Sequence, residues 1–158
     1  MDLPAAFPTF AARPRNLRAS HGAYGLVEGR LLGGGDGERL LTGWVRAGIA
    51  DRRVNRIASY VGGGVTLAAP FGGRAGDDAG LAVMRAGFGA PARRIETGLR
   101  RAETTIEATY HASIGGGLAL QPDIQYVFNP NGSATVANAL VVGVRLTFAV
   151  SHLFARQP

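Results

Sequence analysis

Three stretches near the C-terminus decide the fold: ETTIEATYHASI (103–114), LALQPDIQYVF (118–128) and NALVVGVRLTFAV (138–150). In each stretch, polar and apolar side chains alternate with a period of two. Successive side chains of a β-strand point to opposite faces of the sheet, so each stretch predicts a strand with one polar and one apolar face. Consecutive strands of this kind, ending near an aromatic residue, predict the wall of a transmembrane β-barrel.

Four further segments extend this pattern towards the N-terminus, which gives seven predicted strands. They lie at about 22–32, 38–50, 57–69, 78–89, 102–114, 118–128 and 138–149. These lengths suit the roughly 9–11 residues that a tilted strand needs to cross a bilayer, whereas strands of globular sheets average about 5–6. We therefore predict an all-β fold, an antiparallel transmembrane β-barrel segment. Its divisions are an irregular N-terminal stretch (1–21), the barrel wall (22–150) and a short C-terminal overhang (151–158).

The connections between the predicted strands alternate in length. Glycine-rich turns at 33–37 and 115–117 are compact, whereas the connections at 51–56, 90–101 and 129–137 are longer or more polar. Transmembrane barrels have short periplasmic turns and longer extracellular loops, so the second group is predicted to be extracellular. The link at 70–78 is long for a periplasmic turn and departs from this pattern.

The polar positions of the strands are predicted to line the inside of the barrel. This set comprises Arg46, Glu103, Glu107, His111, Gln121, Asp123, Gln125 and Arg145. Tyr110, Tyr126 and Phe128 are expected in the aromatic girdles at the membrane interfaces. Glu28 and Arg85 lie on strands that alternate poorly, and we assign them to the inside because a charge facing lipid is costly.

The composition excludes several classes of protein. The 158-residue chain has no cysteine, hence no disulfide and no thiolate metal site, and no apolar run approaches the roughly 20 residues of a membrane-spanning helix. All 17 basic residues are arginine and give a net charge of +6 with 11 acids. Because the arginines cluster in predicted loops rather than along one helix, no nucleic-acid partner is predicted. The loop arginines are compatible with charge-assisted pairing to the phosphates of lipopolysaccharide, and equally with plain solvated loops.

No enzyme chemistry, metal or cofactor is predicted. Glu103 and Glu107 lie four residues apart on one strand, about 13 Å at roughly 3.3 Å per residue. Hydrolytic carboxylate pairs need about 5–9.5 Å, so this pair is interpreted as barrel wall. The three histidines share no ligand spacing, and the glycine run at 33–37 has no lysine to complete a phosphate-binding loop.

Several strings resemble a known family. ETTIEATY (103–110), LQPDIQYV (120–127) and ALVVGVR (139–145) resemble the C-terminal end of the carbohydrate-selective porins (OprB-like), and the likeness covers roughly 22–150. WVRAG (44–48) and the stretch 64–80 are similar to preceding strands of that family. The resemblance implies a sixteen-stranded barrel in the bacterial outer membrane, through which glucose-like small carbohydrates diffuse.

The chain departs from that family in strand number and in its N-terminus. Residues 1–8 lack the basic and apolar regions of a secretory signal, and seven strands are fewer than half of sixteen. Open strand edges leave unpaired backbone in lipid. We therefore expect a C-terminal fragment that needs a missing N-terminal barrel half or forms a homo-oligomer.

Two alternatives remain open from the sequence. The strands are also compatible with a β-barrel membrane anchor of an adhesin or autotransporter, in which the wall carries another functional part. They are further compatible with a soluble β-barrel binding protein. A soluble barrel would bury its apolar face inside and expose its polar face.

Overall fold

The computed structural model describes residues 19–33, 39–95 and 98–149. These form one antiparallel sheet whose strand order equals the chain order. The strands are β1 (Gly22–Leu32), β2 (Leu41–Ala50), β3 (Ile57–Ala68), β4 (Asp78–Phe88), β5 (Ala102–Gly115), β6 (Leu118–Phe128) and β7 (Ala139–Phe148). The prediction of an all-β fold with seven antiparallel strands is therefore confirmed. In the described part of the chain, β1 and β7 each pair with one neighbour, so the sheet is not closed.

Glycine sets the tightest hairpin of the sheet. The β5–β6 turn uses Gly115, Gly116 and Gly117, whose φ angles are 93°, 63° and 80°. A Cβ atom makes this left-handed region unfavourable, and glycine enters it without that penalty. The turn brings the two most regularly alternating strands into register, with Glu107 opposite Gln125.

The two faces of the sheet differ in the opposite sense from a soluble protein. Along β6 the apolar residues at positions 122, 124 and 126 are exposed, whereas the polar residues at 121, 123 and 125 are half-buried. On β7, Leu140 and Val144 are 66% and 68% exposed. Apolar side chains in such numbers at the surface require an apolar surrounding, as a membrane provides. This contradicts the soluble-barrel alternative, which requires the apolar face to be buried.

The longer connections pack together at one end of the sheet. A six-residue helix, α1 (Ala90–Ile95), follows β4 and buries Ala92, and a 3₁₀ turn, η1 (Pro130–Gly132), follows β6. The backbone N–H of Ala90 donates to the carbonyl oxygen of Arg52 at 2.7 Å, and that of Arg100 donates to the carbonyl oxygen of Gly132 at 2.7 Å. The sequence did not predict α1, because six residues are too few to show a helical period.

Asp51 organises the β2–β3 turn at this same end. Its carboxylate accepts hydrogen bonds from Nε and Nη2 of Arg53 at 3.0 and 2.7 Å, and from the backbone N–H of Arg53 at 2.9 Å. These bonds favour the ionised form and hold the pKa of Asp51 well below its usual value. All these donors lie within two residues of the carboxylate.

Asp77 organises the opposite end, in the link between β3 and β4. Its carboxylate accepts hydrogen bonds from Nε of Arg74, from the hydroxyl of Tyr110, and from the backbone N–H of Ser113 at 2.9 Å. The hydrogen bond from Arg74, followed by that from Tyr110, lowers the pKa of Asp77 from 3.8 to about 2. The 70–78 link, which is long for a periplasmic turn, is therefore fastened to β5.

The described residues contain no helix that is both long and apolar enough to cross a membrane. The predicted overhang (151–158) and most of the irregular N-terminal stretch (1–21) lie outside the described residues. Those two divisions therefore stay predictions.

Candidate lumenal wall

The strand register places all the predicted lumenal residues of β5, β6 and β7 on one face. Residues that pair across neighbouring strands share a face of the sheet. Glu107 pairs with Gln125, and Gln121 pairs with Arg145, so the three strands present one polar surface. Alternation along β5 and β6 adds the remaining members of this group: Glu103, His111 and Asp123. We call this surface, with its continuation onto β1–β4, the polar face.

The last predicted lumenal residue, Arg46 on β2, joins the same surface through the intervening strands. Arg46 pairs with Gly62, Gly62 with Met84, and Met84 with Thr105 on β5. The eight predicted residues therefore share one face, although they lie on four strands. Their role as sugar contacts stays a prediction.

Hydrogen bonds link neighbouring side chains on the polar face. The Gln121 amide nitrogen Nε2 donates to the Thr109 hydroxyl at 3.0 Å, and Nε2 of Gln125 donates to Oδ2 of Asp123 at 3.3 Å. The Asp123 carboxylate lies against Gly143 of β7, in the space that a Cβ atom on residue 143 would need. Each amide keeps its carbonyl oxygen as an acceptor, so the surface offers both donors and acceptors.

Trp44 is a member of this face that the sequence did not lead us to assign. The guanidinium carbon of Arg46 lies 5.1 Å from the centroid of the Trp44 ring, within cation–π range. A Cβ atom on Gly64, which pairs with Trp44, would come within 2.9 Å of the indole Nε1, so the ring lies across a glycine. Its position two residues before Arg46 was the available signal, because residues i and i+2 share a face.

Glu103 is engaged at the end of the polar face. Its Oε2 accepts a hydrogen bond from the backbone N–H of Asn131 at 2.6 Å. The next residue, Gly132, lies against the ring of Phe88, where a Cβ atom would come within 2.5 Å of the ring. Glu103 therefore anchors η1 to the end of the wall as well as sharing the polar face.

His111 lies near Asp78 but is not hydrogen-bonded to it. Nδ1 of His111 is 3.9 Å from Oδ2 of Asp78, and this buried nitrogen has no hydrogen-bond partner in the described structure. Within residues 19–33, 39–95 and 98–149, no group of three or more His, Asp or Glu side chains is placed to hold a metal ion.

Arg85 corrects one prediction. It pairs with Val61 on β3 and Thr104 on β5, and its Nη1 donates to the Thr104 hydroxyl at 2.9 Å. Both partners belong to the opposite, apolar face, and so does Val83 two residues earlier. Arg85 is therefore not inside, as the cost of a lipid-facing charge had suggested. Glu28 pairs with Trp44 and does lie on the polar face.

Aromatic residues stand near both ends of the apolar face. The rings of Tyr126 and Phe128, at the end of β6 nearest η1, meet edge to face with centroids 4.8 Å apart. At the other end, Tyr110 contacts Phe71 with centroids 5.8 Å apart. This is the arrangement expected of two interfacial girdles.

These features define a class. A meander of membrane-length strands, apolar and exposed on one side and lined with polar side chains on the other, is the wall of a porin-type β-barrel. A family profile described as "Carbohydrate-selective porin, OprB family" matches residues 2–149. The chain belongs to this family.

Two relatives show how much of a related protein this chain matches. Porin B of Pseudomonas aeruginosa is 26% identical over 129 residues, which are 71% of this chain and 28% of that protein. A high-pH structure of OprB from Pseudomonas putida superposes with a TM-score of 0.73 at 24% identity, covering 82% of this chain and 35% of that one. The latter likeness supports the fold alone. The chain thus spans about a third or less of the length of these relatives.

Proposed function

We propose that the chain forms part of the wall of an outer-membrane channel through which small carbohydrates diffuse passively. The observation that carries this proposal is the polar face, which combines carboxylates, amides, guanidinium groups and one indole on the side opposite the exposed apolar residues. No covalent step and no cofactor are part of the mechanism.

The chemistry of this face suits sugars. A hydroxyl group both donates and accepts, so a wall that offers Gln121 and Gln125 amides beside the Asp123 carboxylate can replace its water contacts. The flat Trp44 ring offers an apolar surface to the C–H face of a pyranose. Several weak contacts in sequence allow the solute to enter and to leave, which conduction requires.

The open edges bear on how such a channel is completed. In lipid, unpaired backbone groups along β1 and β7 cost several kcal/mol each, so both edges must be paired. Strands of a longer barrel or further copies of this chain would pair them. Cross-linking of cysteines placed on β1 and β7 distinguishes a longer barrel from self-association. Only self-association joins β1 of one copy to β7 of another and gives a cross-linked oligomer.

Liposome uptake tests the proposal. The full chain, alone and together with the N-terminal barrel portion of a family member, is reconstituted and glucose entry is followed by swelling. We expect entry from at least one preparation, slowed severalfold by Trp44→Ala and Gln121→Ala and left unchanged by Leu140→Ala on the apolar face. Folded, membrane-inserted preparations that all exclude glucose would contradict sugar transport and favour the anchor alternative.

A further inference from the structure

Arg85 is a charged residue on the apolar face, and its surroundings are specialised. Its guanidinium donates to the Thr104 hydroxyl at 2.9 Å, and the side chain is otherwise exposed. An arginine facing lipid costs about 2–4 kcal/mol at the bilayer midplane and about 0–1 kcal/mol near the interface. Arg85 stands three residues before the end of β4, roughly 10 Å along the strand, so its long side chain can reach the polar interface.

A groove adjoins Arg85 on the same face. Two interstrand rows define it, one running from Arg85 through Val61 and Ala47 to Gly25, the other from Gly87 through Ser59 and Ile49 to Ala23. Most of these side chains are small or absent, which leaves a depression of about 450 Å³. The groove is apolar, runs across strands β1–β4 and has the Arg85 cation at one end.

The charge around this end of the sheet is strongly positive. The two adjoining connections, 51–56 and 89–101, contain seven arginines against two acids. One of those acids, Asp51, is already engaged by Arg53. A negatively charged ligand is therefore favoured here over a cationic or neutral one.

We propose that this groove binds a phosphorylated glycolipid of the outer leaflet, namely lipopolysaccharide. A phosphate pairs with the Arg85 guanidinium while an acyl chain lies along the small residues from Ala47 to Gly25. Turn lengths favour the extracellular side for this end of the sheet, and that side faces the leaflet that carries such lipids. The groove lies on the lipid face, so its ligand is independent of which solute the polar face conducts.

Titration of the full chain in detergent micelles with fluorescent lipopolysaccharide tests the site. We expect Arg85→Gln to weaken binding about tenfold, since a charge-assisted pair is lost, and Arg85→Lys to retain most of it. Arg30→Gln removes the same charge from the polar face near the other end of the sheet and is expected to change nothing. The affinity of the wild type for enzymatically dephosphorylated lipopolysaccharide should be no higher than the affinity of Arg85→Gln for intact lipopolysaccharide.

A second pair of variants tests the groove itself. In the described structure, a Cβ atom added to Gly25 or Gly29 would meet nothing within 4 Å, so each position accepts a leucine without a clash at Cβ. Gly25→Leu fills the end of the groove farthest from Arg85, where the acyl chain is proposed to lie, and should weaken binding severalfold. Gly29→Leu lies outside the groove and should not weaken binding. Unchanged binding by Arg85→Gln, equal binding of the dephosphorylated lipid, or equally tight binding of phosphatidylglycerol vesicles would overturn the proposal. Heat-modifiable migration on gels verifies that every variant is folded.

Discussion

Two buried aspartates, at opposite ends of the sheet, are held in different ways. Asp51 and Asp77 are 7% and 1% exposed, and each is paired with an arginine two or three residues away. The bonds of Asp51 stay within its own turn, whereas Asp77 also binds Tyr110 and Ser113 on β5. Two carboxylates that are similarly buried can therefore differ in how much they contribute to stability. The carboxylate that joins distant segments should matter more for stability.

The largest effect is expected from Asp77→Ala. It leaves the half-exposed Arg74 guanidinium, the Tyr110 hydroxyl and the Ser113 N–H without their shared acceptor. The loss of a buried acceptor with three donors is destabilising, because each donor that stays buried has no partner to replace it. We expect the midpoint of thermal unfolding, followed by heat-modifiable migration, to fall by about 10 °C. Asp78→Ala, at the half-buried neighbouring position, is the control, and an equal loss there would show that the link is not specifically held by Asp77.

Lowering the pH should reproduce part of the stability loss expected from Asp77→Ala. The pKa of Asp77 is lowered from 3.8 to about 2, so its ionised form contributes stability above pH 4 that is lost as the pH falls towards 2. We expect the wild-type midpoint to drop by roughly 5 °C between pH 5 and pH 2 through this group. The drop should be smaller in Asp77→Asn, and identical acid profiles of the two proteins would contradict the assignment.

Tyr110→Phe should have an intermediate effect. The substitution removes the hydroxyl donated to Asp77 but keeps the ring against Phe71, and the bonds from Arg74 and Ser113 remain. A decrease of about 3 °C in the unfolding midpoint is expected from one lost hydrogen bond. Tyr126→Phe is the matched control at the other end, and a larger loss there would reverse the comparison.

The smallest effect is expected from Arg53→Gln. The Arg53 side chain is 63% exposed, and Asp51 still accepts the backbone N–H of residue 53 after the change. Exposed ion pairs contribute little, so a shift of about 2 °C or less is expected. A loss as large as that of Asp77→Ala would show that the turn at 51–56 is the more important anchor.

The clearest alternation led to the most reliable predictions. The stretches 103–114 and 118–128 predicted β5, β6 and their faces because polar and apolar side chains contrast at most steps. On β4, alanine and glycine occupy much of the strand and carry no such contrast. Arg85 was therefore placed by an energetic rule alone, and the rule failed because the residue lies near the strand end and is paired with Thr104.

The faces of β4, which its own sequence does not define, can be read from the neighbouring strand β5. Antiparallel pairing sets Ala86 opposite Glu103, so the well-defined faces of β5 determine those of β4. Trp44 shares its face with Arg46 because residues i and i+2 of a strand point the same way, but an indole among polar positions does not stand out as part of a polar face. The partners of Asp77 involve residues 33 and 36 positions away, and no local pattern reveals them.

Because sheet order equals chain order, each strand finds its partner immediately before it in the sequence. Every pairing then closes only a short loop, and the entropy cost of each step stays low. The hairpin is also the smallest unit that can be added or lost without moving later turns to the other side of the membrane. Such a wall changes its circumference two strands at a time, which makes pore diameter a quantity that gene duplication or deletion can adjust in discrete steps.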